Sequence, residues 1–402
     1  MRRSFVPLLV ISCCFLTGCQ DDPVTVPYET ITLENEAPHT SNGANAYLDY
    51  VELSARAVKE TDVRFDAKDS TPNRAKLLRE LGPLLEQLAR STTKQCMFAF
   101  EPVAPIERGK NHAGWLLLSK ALVWKIDESA LSSDWDEAVR WTIVATTFGF
   151  DLSGGDFLDA SLGYGIVDSA RSVLAQYLPV MPADALDALS RGLVSAVKRR
   201  PDDQQTVNNE SQSMLAAVKA LQDAHMNGKI DDFAESLSGK SKSAVIGLID
   251  LEDKERSKLF KALLDERESV LEQLLVSIEV PGAQRNPVQY SLEGRARIIA
   301  DQFFTTGAPW FAMRDLTLTR THLFAVSAGL YSNIAKTNEA PRTLDSFDPV
   351  VISDPYTGRT LNYEYQGRGF KLFSAGANGV HDQGETDAER LEPDLFLKDA
   401  VL

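Results

Sequence analysis

The sequence predicts a mainly α-helical protein: a helical bundle or array of helical hairpins, with a small C-terminal antiparallel β unit packed on a long helix. Three observations carry that expectation. Apolar residues recur at spacings of three and four from about residue 44 to residue 336. Strand signals are nearly absent over the same span, so helix packed on helix is the economical way to bury those stripes. After Ala340-Pro341 the period changes to alternation broken by glycine turns. With 402 residues, 44% of them apolar, the chain has material for two or three folding units and is too apolar for a disordered one.

The elements follow in chain order. Asn45 opens a first amphipathic helix with Tyr47, Tyr50, Val51 and Ser54 on one face. Thr71-Pro72 reads as an N-cap followed by proline at the first helical position. Behind it Leu77, Leu78, Leu81, Leu84, Leu85 and Leu88 form a stripe, which Pro83 is expected to kink or split. Further helices are expected at 112–130, 134–151, 156–178, 183–200, 205–226, 241–250, 252–279, 289–305 and 309–336. Asp134-Trp135-Asp136-Glu137-Ala138 resembles the second helix of a tetratricopeptide unit, but a single unit implies a helical hairpin and not a stacked array. Phe260, Leu264, Leu271, Leu274 and Ile278 suggest a heptad seam interrupted by Arg267, too short for a dimeric coiled coil and suited to a bundle helix.

The last part of the chain changes character. Asp354-Pro355-Tyr356-Thr357-Gly358 is a turn, and Leu361 to Tyr365 alternates as a strand. Gln366-Gly367-Arg368-Gly369 makes a hairpin loop, Phe370 to Ser374 alternates again, and Asp394 to Leu397 is a last short strand. The division expected is a leader at 1–18, a tether at 19–43, a helical domain at 44–305, and the long helix with its β unit at 306–402.

The N-terminus carries the sharpest signal. Arg2 and Arg3 precede an apolar run from Phe5 to Leu16, too short for the roughly 20 residues of a membrane span. Leu16-Thr17-Gly18-Cys19 resembles the lipobox of bacterial lipoproteins. That resemblance implies cleavage before Cys19, acylation of Cys19, and membrane attachment through it. Gln20 after the cysteine, where aspartate would retain such a protein in the inner membrane of Gram-negative cells, implies the outer membrane. Residues 20–43 hold five acids, three prolines and no Lys or Arg, the composition of a solvated tether. The formal charge of −15 becomes −17 once the two leader arginines leave. So acidic a chain lacks the basic footprint of a nucleic-acid binder. With Cys13 and Cys14 removed and Cys19 acylated, Cys96 has no partner for a disulfide and sits in an apolar stretch as a small hydrophobe.

The order long helix, Asp-Pro-aromatic-x-Gly, strand, glycine turn, strand ending Ser374-Ala375-Gly376-Ala377-Asn378-Gly379, then an Asp/Gly loop, resembles the C-terminal half of type II secretion major pseudopilins. The ending and the helical hairpins also resemble a group of uncharacterised bacterial exported helical proteins. The pseudopilin likeness covers about 90 residues. The lipobox and the large helical region depart from a pseudopilin's polymerising N-terminus, so the likeness implies a shared small fold and not pilus assembly. It also implies calcium in the last loop, with Asp382 and Asp387 as the matching acids and Glu385 as a substitute. Residues 382–399 hold seven acids against Arg390 and Lys398, which is compatible chemistry for a hard cation.

Catalytic signatures are missing: no His-Glu-x-x-His, no Gly-x-Ser-x-Gly, no phosphate loop. Ser91-Thr92-Thr93-Lys94 matches a serine–lysine tetrad without the later elements such enzymes use. His39, His112, His225, His322 and His381 lack ligand spacing, and His322 reads as a packed helix residue. Trp115, Trp124, Trp135 and Trp141 read as core, with a carbohydrate or peptide groove as the sharper alternative. The expectation is a lipid-anchored envelope protein that binds another envelope protein or a cell-wall component. The alternative is an envelope hydrolase whose site in the helical domain is assembled from distant residues.

Overall fold

The structure is a computed structural model that describes residues 45–61, 71–98, 109–237, 239–380 and 395–396. Helix α1 (Ala46–Glu60) starts where the Asn45 carboxamide accepts from the Tyr47 N–H. The same carboxamide accepts from Met97 N–H and donates to Met97 O, and Ala46 N–H donates to Gln95 O. The first described turn is thereby stitched to the segment after α2 (Thr71–Ser91). The buried stripe of α1 is Tyr50, Leu53, Ser54 and Ala57, with Tyr47 and Val51 half-buried at its edge.

Helix α2 runs unbroken past Pro83, so it is not split there. Two features explain it. Pro83 is exposed, so its missing N–H removes no buried bond. The preceding residue is Gly82, which has no Cβ for the proline ring to strike. Leu77, Leu81, Leu84, Leu85 and Leu88 are all buried along one face.

The body is built on α3 (His112–Leu131), α4 (Trp135–Leu152), α5 (Phe157–Leu174) and α6 (Ala183–Arg199). The expected single helix over 156–178 stops at Leu174 and tightens into a 3-10 segment, Ala175–Val180, that accommodates Pro179. The expected hairpin of α3 and α4 is present, closed by Ser132 to Asp134. Helices α4 and α5 touch backbone to backbone: a Cβ on Gly163 would lie 2.2 Å from the Gly149 carbonyl oxygen. Helices α7 (Asp203–Met226), α8 (Ile230–Glu235), α9 (Gly239–Ile246), α10 (Asp253–Ile278) and α11 (Gly294–Phe303) form the flank. In α10 the buried stripe is Leu259, Phe260, Leu263, Glu266, Val270 and Leu274. Of the expected seam Phe260 and Leu274 are buried, while Leu264, Leu271 and Ile278 are half-buried, so the stripe is partly rotated. Arg267 takes a half-buried place beside the stripe, where its Nε reaches Ser211 Oγ at 2.9 Å.

Helix α12 (Ala308–Thr337) is 30 residues long, about 45 Å at 1.5 Å per residue. Its middle is buried nearly all round, because it packs on α5 and α6 and also carries β2 (Gly369–Ser374). A short α13 (Pro349–Ile352) precedes the sheet, capped by Asp348, whose carboxylate accepts from Val350 N–H. Strand β1 (Asn362–Gln366) pairs antiparallel with β2, Tyr363 opposite Leu372, and β3 (Leu395–Phe396) pairs with the far edge of β2. The hairpin turn is tighter than expected. Gln366 pairs with Gly369, leaving Gly367 and Arg368, and Gly367 takes φ +74° at the first central position, as a two-residue type II′ turn requires.

Candidate functional site

Three helix C-termini meet at one guanidinium. Arg199 ends α6 and donates to the carbonyls of Thr92 and Lys94, just past the end of α2. It also donates to Asp151 Oδ2 at 2.9 Å in the last turn of α4. Exposed carbonyls give each helix C-terminus a partial negative charge, so a cation is favoured there. Tyr50 of α1 donates to the same Asp151 oxygen at 2.6 Å. Asp151 is 1% exposed, and burial pushes its carboxyl up to about 6 against the opposing pull of Tyr50 and Arg199. Cys96 is half-buried, its Sγ 3.9 Å from Asp151 O. Burial first and the Asp151 charge second hold its thiol well above the usual range, so it stays protonated and packs as the small hydrophobe expected.

Beside this junction runs a groove of about 660 Å³ between α2, α4 and α6. Its floor is apolar: Val139, Ile143 and Val144 from α4 face Ala188, Gly192 and Ala196 from α6. A Cβ on Gly192 would lie 2.2 Å from Ile143 Cδ1, so the small residue sets the approach of the two helices. Arg90, Arg140 and Asp136 stand at the rim. Arg140 is held over Trp141 at 4.3 Å and pairs with Glu86 at 2.6 Å. A second cleft, about 530 Å³, lies between α6, α12 and the segment around Phe347.

Ser91 and Lys94 do come together. Ser91 Oγ and Lys94 Nζ each donate to Asp49 Oδ2 at 2.6 Å, at a cleft of about 310 Å³. The position is wrong for acyl transfer. It lies at the C-terminus of α2, whose dipole opposes an oxyanion, and Ser91 is 4% exposed with its proton directed at a carboxylate already shared with an ammonium. The trio clamps α1 to α2.

The histidines are dispersed, as expected. His112 Nε2 lies 2.6 Å from Asp159 Oδ1. His322 is 5% exposed, and its Nδ1 lies 2.7 Å from the Ser353 carbonyl, which can only accept, so Nδ1 carries the proton. Burial drives its pKa down to about 4, which makes it a neutral core residue. Nearer the start of α12 a buried ladder ties the helix to α7 and to the segment after α10: Arg314 contacts Asp203 at 3.1 Å and Asp315 at 2.8 Å, and Arg285 reaches Asp315 at 2.5 Å. Asp354 of the Asp-Pro turn accepts from Tyr356 N–H at 3.0 Å and Ser374 Oγ at 2.9 Å, tying the turn to β2.

Cys19, Asp382, Asp387, Glu385, His39 and His381 lie outside the described residues. Trp115, Trp124 and Trp141 are core, and Trp135 is half-buried. Arg199, Asp151 and the α2/α4/α6 groove carried no local signal, since their partners are scattered from residue 50 to residue 199. Among the described residues no group of three or more His, Cys, Asp or Glu is placed to hold a metal, and no helix is long and apolar enough to cross a membrane. Comparison of the chain with protein-family models, curated proteins and solved structures finds no match.

Proposed function

We propose that the chain is a lipid-anchored bacterial envelope protein, held at the outer membrane through Cys19 and working as a binding or scaffold module. The ligand is another envelope protein or a cell-wall component. The reading rests on the lipobox and on one structural contrast. The α2/α4/α6 groove has an apolar floor suited to a ligand surface. Asp151, the carboxyl that burial pushes toward neutrality, lines none of the three clefts and is sealed behind Tyr50 and Arg199. A hydrolase built on convergent carboxyls would put such a group in the cleft. The C-terminal unit, with its Asp-Pro turn and hairpin, serves as a pseudopilin-like cap, with Asp382 and Asp387 as calcium ligands.

The test is in-cell crosslinking of the full chain, followed by mass spectrometry of what co-purifies, with a chain cut before Asp345 as control. A reproducible partner supports the reading, and its loss or retention in the shortened chain assigns the binding unit. No partner under several crosslinkers contradicts it. For calcium, chelation is expected to lower the melting temperature of the full chain, because a ligand that binds only the folded state stabilises it. An unchanged melting temperature removes the metal.

A further inference from the structure

We propose that the surface carrying Leu131, Trp135, Tyr177 and Val180 is an interaction surface for a protein partner that presents an apolar side chain flanked by lysine or arginine. This goes beyond the groove described above and rests only on the reading of the chain as a binding module. Leu131 and Val180 each stand 68% exposed, and each lies within four residues of a half-buried aromatic. Leu131 ends α3, and a three-residue turn with Ser133 at φ 58° brings the chain to Trp135. Val180 follows Tyr177 by three residues in a 3-10 segment, where residues at that spacing eclipse. The Trp135 and Tyr177 ring centroids are 5.9 Å apart, which joins the two halves into one apolar surface. Aromatic anchors beside exposed aliphatics are the usual centre of a protein–protein contact, and a contiguous apolar patch is costly to leave in water.

Charge selects the occupant. Asp134 and Asp136 flank Trp135, and Asp184 follows Val180 by four residues. Among the described residues none of the three is in an ion pair, although Asp134 also caps α4. A basic partner satisfies that rim. A second copy would set like charges against each other across a two-fold axis. A glycan would stack on a ring face but leave both aliphatics exposed. Helix α4 runs from Trp135 at this pole to the last turn, where Asp151 holds Tyr50 of α1. Its 18 residues span about 27 Å. The pole therefore lies about 27 Å along α4 from the residue that holds Tyr50 of α1.

The experiment places a photo-crosslinking residue in the full chain, in cells, at position 131 or 180. Comparison positions are Ser195, exposed in the α2/α4/α6 groove, and Val276, 68% exposed elsewhere. The expected result is adducts at 131 and 180 that map to an apolar residue beside Lys or Arg on one protein. Asp136→Lys with Asp184→Lys, neither of them the capping residue, should lower that yield at least about fivefold with unchanged circular dichroism. Adducts at 195 alone overturn the pole and leave the binding reading standing. Adducts to a second copy, equal adducts at 276, or a yield indifferent to the charge reversal also overturn it. No adduct at any position contradicts the binding reading itself.

Discussion

Arg199 and Asp151 set the chemistry of the body at the scale of single residues. The guanidinium neutralises three helix ends, and its planar fork fits two carbonyls and a carboxylate at once. The proton on Asp151 has a readable consequence. Its carboxyl is near 6 in the folded chain, against roughly 3.9 when unfolded. A raised folded value means the fold binds the proton more tightly. The stabilising contribution is therefore complete below about pH 4 and is lost as pH rises through about 6. That difference corresponds to about 3 kcal/mol at most. Denaturant unfolding at pH 4.5 and pH 7 should show this slope, and Asp151→Asn should flatten it. An equal slope in both proteins refutes the assignment. None of this was legible locally. Asp151 ends an apolar run, and its partners Tyr50 and Arg199 lie about 100 residues upstream and 48 downstream.

At the scale of elements, the sequence was most legible where apolar spacing dominated. The α3–α4 hairpin, the long α12 and the β1–β2 hairpin all fall where the sequence places them. Legibility failed where a neighbour overrode the local rule. Pro83 leaves α2 intact because Gly82 precedes it and the site is exposed. The α10 stripe rotates because Glu266, bonded to Ser291 N–H at 2.7 Å, takes a buried position that an apolar heptad would not allot to an acid. The α4–α5 contact gives the sharpest prediction. A methyl at Gly163 must displace the Gly149 backbone, so Gly163→Ala should destabilise by about 2–3 kcal/mol, in the range of overpacked cores. Gly165→Ala, on the same helix with open space around it, should be neutral or slightly stabilising. Paired thermal melts decide this; equal midpoints would mean the helices have room to separate.

The whole molecule reads as a body with two ends. At one end Asn45, Gln95, Asp151 and Arg199 fasten the start of α1 to three helix termini, so a pull on the preceding chain is taken up by the centre of the fold and not by a fraying helix. At the other end stand Leu131, Trp135, Tyr177 and Val180. Such polarity suits a protein held by its N-terminus and read by a partner from the opposite side. It depends on Cys19, so the most direct measurement is the intact mass and N-terminal peptide of the mature chain. We expect residues 1–18 to be gone and Cys19 to be the first residue, carrying a diacylglycerol on sulfur and an acyl chain on nitrogen. A mature chain that retains those residues, or that begins elsewhere without lipid, contradicts it.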